Sequence, residues 1–137
     1  MNFLKIVAVV LGIASFCMGI MLHTKNTSMA NEISGGKTVE AYSAADFKTA
    51  ASAAFATAGI ALCLAFLVFM KNPKLLVAFA LFTIVCLIIS YYLQPEYAKV
   101  EGGPATSKEV ALIQLFLGNI AAFAAIMFAR QKTKEQL

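Results

Sequence analysis

The sequence predicts an all-α integral membrane protein, a four-helix bundle of antiparallel, up-down topology with both termini in the cytoplasm. Three observations predict it. Four apolar runs, 6–22, 49–70, 75–93 and 110–129, contain no ionised side chain, and a helix of roughly 20 such residues crosses a hydrocarbon core of about 30 Å. Helix-capping signals fall at the edges of those runs. The cations are densest on one of the two sides between which a four-crossing chain must alternate. Composition agrees: 61% hydrophobic and 13% charged residues in a chain of 137, with a mean hydropathy of +0.80, exclude an ordinary water-soluble domain. Residues 1–137 are read as one membrane domain.

The first helix is expected over about 3–22, with Lys5 snorkelling to the interface. Its apolar stretch is longer than the usual core of a secretory signal, and the polar stretch before the small pair Ser28 and Ala30 is long, so an uncleaved helix is expected. Bulky Phe16 before Cys17 excludes a lipoprotein signal. The second helix is expected over about 44–70: Ser43 and Asp46 have the spacing of a capping box, with the carboxylate facing the positive helix end. Asn72 as N-cap and Pro73 at the first helical position make a tight hairpin into the third, over about 73–94. Gln94-Pro95 closes that helix, Gly102-Gly103-Pro104 interrupts regular structure, and Thr106 with Glu109 offers a second capping box for the fourth, over about 107–129.

Lys5, Lys71, Lys74, Arg130, Lys132 and Lys134 lie on one side with a single acid, Glu135. Lys25, Lys37, Lys48, Lys99 and Lys108 lie on the other, spread among Glu32, Glu40, Asp46, Glu96, Glu101 and Glu109. The denser side is assigned to the cytoplasm, which leaves two outward loops, about 24–43 and 95–105. The net charge of +4 follows from this topology, because no basic cluster interleaved with aromatics exists to hold nucleic acid.

Lipid gives helices no hydrophobic reason to associate, so the seams should lie where small residues let backbones approach. Gly12, Ser15 and Gly19 form one such face on the first helix, and Gly118, Ala122, Ala125 and Ala129 one on the fourth. The second helix is small all round from Thr49 to Gly59, with Ala50, Ala54 and Ala58 among its packing positions, and suits a bundle interior or another protein better than acyl chains. Phe66, Phe69, Phe79, Phe82, Phe116 and Phe123 are expected in lipid-facing or groove positions, and Tyr91, Tyr92 and Tyr97 at the interface. Cys17, Cys63 and Cys86 have no paired spacing and read as small buried hydrophobes.

Chemistry is sparse. No ionisable residue sits at membrane depth, which argues against a pump. His23 is the only histidine, so a bis-His haem within one chain is impossible, no metal set is expected, and no Ser/His/Asp set serves a hydrolase. Asn26-Thr27-Ser28 fits a glycosylation sequon, a frequent chance match. The polar residues at depth are Thr57, Thr83, Ser90, Gln114 and Asn119. Gln114 and Asn119 need partners on neighbouring helices, or, with Tyr91, would line a pocket for a quinone or a lipid headgroup.

Asp46-Phe47-Lys48 leading into a small-residue helix with Gly59, then a tight hairpin and Gly102-Gly103-Pro104 before the last helix, resembles the DoxX-like superfamily of small bacterial four-helix membrane proteins; other members carry arginine where Lys48 stands. The resemblance implies a bacterial inner-membrane location and an accessory subunit beside a catalytic partner, a few members being linked to quinone-reducing or thiol-oxidising complexes. The expected function is a non-catalytic subunit of a larger membrane complex, respiratory or otherwise energy-converting. The alternatives are a quinone- or lipid-binding oxidoreductase component using Gln114, Asn119 and Tyr91, and a small oligomeric channel or carrier.

Overall fold

The structure, a computed structural model, describes residues 2–36, 43–70, 72–95 and 107–136. All the regular structure among them is helical: α1 (Phe3–Ser34), α2 (Ala44–Leu67), α3 (Pro73–Leu93) and α4 (Ser107–Gln136). Each is long and apolar enough to cross a membrane, which marks the chain as an integral membrane protein. The outward faces are those of a protein solvated by lipid, with Phe66, Phe82, Phe116 and Phe123 all exposed.

Local chemistry sets the ends. Asn2 caps α1, its side chain accepting from the Leu4 N–H. Ser43 and Asp46 cap α2 reciprocally: the Asp46 N–H donates to Ser43 Oγ at 3.3 Å and the Ser43 N–H donates to Asp46 Oδ2 at 2.8 Å. Asn72 caps α3, accepting from the Leu75 N–H at 3.1 Å, with Pro73 in the first turn. The second box expected for α4 involves Thr106, which lies outside the described residues.

The first helix does not stop at residue 22. It continues to Ser34, so most of the segment expected to form an outward loop over 24–43 is helix. The reason is that residues 23–34 contain neither Gly nor Pro and still have something to pack on: Met29 and Ala30 are buried with Phe47 in a small cluster edged by Ile33. Only Gly35 and Gly36 end the run, and Gly36 has φ 110°, a left-handed conformation that suits glycine after a helix. The fourth helix also outruns its expected end at 129, because residues 130–136 contain no breaker and place basic side chains at the negative helix end. The second ends a few residues before 70, in a turn closed by Met70 N–H donating to the Leu67 carbonyl.

Packing follows a seven-residue repeat. On α1 the buried positions Ala8, Gly12, Ser15, Gly19, Leu22, Asn26 and Met29 alternate steps of four and three, with Ala30 buried beside the last. On α3 they are Leu76, Ala80, Thr83, Leu87 and Ser90, and on α4 Ala111, Gln114, Gly118, Ala121, Ala125 and Phe128 share the rule. A 3.5-residue period keeps one seam facing its neighbours along the whole helix, as in coiled coils. Each helix packs on its neighbours in sequence, and α4 closes back on α1.

The α1–α2 seam is built of small side chains. A Cβ added at Gly12 would lie 3.2 Å from Ala65 Cβ and 3.3 Å from the Ala61 carbonyl oxygen. One at Gly19 would lie 2.7 Å from Ala58 Cβ and 3.1 Å from the Ala54 carbonyl oxygen. The α1–α4 ends are tied by Asn2 Nδ2 donating to Gln131 Oε1 at 2.6 Å. Ala50, Ala54 and Ala58 of α2 and Ala122, Ala125 and Ala129 of α4 are all buried.

Candidate functional site

Two polar layers are sealed inside the bundle. In the first, Gln114 Nε2 on α4 donates to Thr57 Oγ1 on α2 at 3.0 Å. That hydroxyl has its own acceptors in the Ala53 and Ala54 carbonyls, at 3.1 and 3.0 Å. Ser15 Oγ on α1 donates to the Gln114 carbonyl at 3.3 Å. The glycines make room for this: a Cβ at Gly19 would sit 2.8 Å from Gln114 Nε2, and one at Gly118 would run into Leu87 and Ser15. A buried amide costs free energy unless paired, and here the Thr57 hydroxyl of α2 pairs the Gln114 side chain while Ser15 of α1 bonds its backbone carbonyl.

The second layer lies towards the C-terminal end of α1. Asn26 Nδ2 donates to Gln94 Oε1 at 2.7 Å, and Gln94 Nε2 donates to the Ala50 carbonyl at 3.2 Å, which joins α1, the cap of α3 and α2. Beside it His23 Nδ1 lies 2.8 Å from the Ala51 carbonyl oxygen. A carbonyl can only accept, so Nδ1 carries the proton. The ring packs on Phe55 at 5.2 Å between centroids and borders a shallow polar groove of about 350 Å³ with Thr24, Thr27, Ser28 and Asn31. Ser90, on the buried face of α3 one turn before Gln94, is the exception: its hydroxyl is buried with no hydrogen-bond partner among the described residues. An orphaned hydroxyl contributes no compensation for its desolvation. Ser90→Ala is therefore expected to leave stability unchanged or raise it by about 1 kcal/mol, read from thermal unfolding in detergent; a clear loss would mean that the hydroxyl has a partner.

The three residues expected to line a quinone or lipid pocket stand in different places. Gln114 is buried and bonded to Thr57. Asn119, about 140° further round the helix, is half-buried and donates to the Leu115 carbonyl of its own helix at 2.7 Å. Tyr91 is half-buried at the far end of α3, with Lys108 Nζ 4.5 Å from its ring centroid and 5.7 Å from that of Tyr92.

One sequence expectation needs correction. Cys17 and Cys63 are exposed on outward faces rather than buried, and only Cys86 is partly covered. Both exposed cysteines stand on the side of their helix opposite the buried positions. The sequon asparagine, Asn26, is fully buried, so the folded chain offers no glycan acceptor there. Among the described residues no three His, Cys, Asp or Glu gather as a metal set.

Sequence reasoning missed Asn26 and Gln94, reading the first as loop and the second as a helix stop. The signal that finds them is spacing: Asn26 stands seven residues after Gly19, and Gln94 seven after Leu87. The arrangement can hold four helices in one register. Comparison of the chain with protein-family models, with curated proteins and with solved structures finds no match.

Proposed function

We propose that this chain is a non-catalytic subunit of a larger membrane complex, docked through the outward face of α2 onto a transmembrane helix of its partner. The observation that carries the reading is a second stripe of small residues on α2. Ala45, Thr49, Ser52, Ala56, Gly59 and Cys63 are all exposed, at alternating steps of four and three, on the side of the helix opposite its buried alanines. Nothing lies within 4 Å of where a Gly59 Cβ would be. Small residues offer acyl chains little surface, whereas they let a second helix approach closely. The same helix thus has one small face used inside the bundle and one left for a neighbour.

An antiparallel, up-down bundle with both termini cytoplasmic fits this role. Supporting it are the pairing of Gly12 with Ala65 and of Gly19 with Ala58 and Ala54, which runs in opposite senses along α1 and α2, and the basic end that carries Lys5, Lys74 and Arg130. A bacterial inner membrane and an energy-converting complex follow from the DoxX-like resemblance alone.

The test is purification of the tagged chain from native membranes in mild detergent, with the double variant Ala56→Leu and Gly59→Leu beside it. A stoichiometric membrane partner should accompany the wild type. Bulky side chains at a close seam cost about 1–3 kcal/mol, so the variant should retain roughly tenfold less partner or worse, with unfolding unchanged. A wild type that purifies alone, or a variant that keeps its partner, ends the proposal. Oxidation that joins two copies through Cys63 would replace the foreign partner by a second copy of this chain.

A further inference from the structure

We propose that the groove between the first turn of α3 and the last turns of α4 binds the phosphate of an anionic phospholipid from the adjoining leaflet. The groove has a volume of about 420 Å³. Its mouth carries Lys74 from α3 and Arg130 and Lys134 from α4, all exposed, and its floor is apolar, made by Pro73, Val77 and Ala129. The one neutral polar side chain in the wall, Thr133, turns its hydroxyl to the Ala129 carbonyl of its own helix at 3.1 Å.

The described cations at this end of the bundle divide into two kinds. Lys5 lies 4.6 Å above the Phe69 ring, and Lys132 lies 5.1 Å from the Phe128 ring, so both have cation–π partners. Lys74, Arg130 and Lys134 line the groove instead, and among the described side chains no carboxylate lines it. Three basic residues around an apolar floor, at the end of membrane-spanning helices, complement a ligand with an anionic head and an apolar tail. Basic pockets between transmembrane helices recognise lipid headgroups on this principle. Arg130 supplies a planar fork of donors that matches two phosphate oxygens at once, with the lysines acting as point charges. The glycerol and first methylenes would lie over Val77 and Ala129. A free phosphate would use the cations and leave that floor idle, which is why the lipid is the assigned occupant.

Native mass spectrometry of the full chain in mild detergent, titrated with phosphatidylglycerol or phosphatidylcholine, tests the assignment. The wild type should retain phosphatidylglycerol in preference. Lys74→Gln, Arg130→Gln and Lys134→Gln together should weaken its retention roughly tenfold or more, while Lys5→Gln with Lys132→Gln should not. Arg130→Gln alone should show a smaller loss in the same direction, which keeps the test open if the triple variant folds poorly by circular dichroism. Equal retention of the two lipids by the wild type, an undiminished triple variant, or an equal loss in the Lys5 and Lys132 control would each overturn it. So would displacement of the lipid by glycerol 3-phosphate at matched concentration, which would make the ligand a soluble phosphate.

Discussion

Gly19→Leu is expected to drive α1 and α2 apart, whereas Gly59→Leu is expected to leave the bundle intact. Both positions are glycines inside transmembrane helices, and hydropathy treats them alike. Their surroundings differ. A Cβ at Gly19 would meet Ala58 Cβ at 2.7 Å, Gln114 Nε2 at 2.8 Å and the Ala54 carbonyl oxygen at 3.1 Å. One obstacle is backbone, one is already the smallest chiral side chain, and the third is fixed by its bond to Thr57. No rotamer change relieves all three. Overpacking a core costs about 1–3 kcal/mol and occasionally more, and this site belongs at the upper end because the amide would also lose its partner. At Gly59 there is nothing within 4 Å, and replacing glycine within a helix recovers part of the roughly 1 kcal/mol that glycine costs there. Thermal unfolding in detergent, followed by circular dichroism, should show a large drop in midpoint for the first variant and none for the second. Equal midpoints would mean that the α1–α2 seam is looser than the distances require.

Asn26→Leu has the next largest expected effect. It leaves Gln94 Oε1 buried without the donor that now lies 2.7 Å away, and an abandoned buried acceptor costs about 1–3 kcal/mol. Removing both amides, as Asn26→Leu with Gln94→Leu, should cost less than the sum of the single changes, since Gln94 Oε1 is then no longer left without its donor. A double-mutant cycle should therefore give a coupling above the roughly 0.6 kcal/mol average found between polar side chains in membrane bundles. Additive single effects would show that the two amides act independently.

These two sites also mark how far the sequence was legible. Four helices could be counted because uncharged apolar runs are long and because Ser43, Asp46, Asn72 and Pro73 announce helix starts in local chemistry. Gly12, Ser15 and Gly19 could be placed on one face for the same reason: a helix period is a local property. The extension of α1 could not be read from hydropathy, because Thr24, Lys25, Asn26 and Thr27 look like loop and their helical state depends on Phe47, a residue of the next element. Nor could the partners of Gln114 and Asn119. Both are amides at membrane depth, but one points to another helix and the other to its own backbone, and that choice is made by which face α4 turns inward. The small residues of α2 presented the converse difficulty: composition showed a helix small on every side, and only packing separated its inner face from its outer one.

The unequal helix lengths bear on how the protein sits in lipid. At 1.5 Å per residue, the 32 residues of α1 extend about 48 Å and the 21 residues of α3 only about 32 Å, against a hydrocarbon core of about 30 Å. The third helix is therefore the gauge of the molecule: it spans with almost nothing to spare and cannot accommodate a steep tilt. In a thicker, sterol-rich bilayer α3 would be the first element to suffer hydrophobic mismatch, and the surrounding lipid would have to thin to meet it.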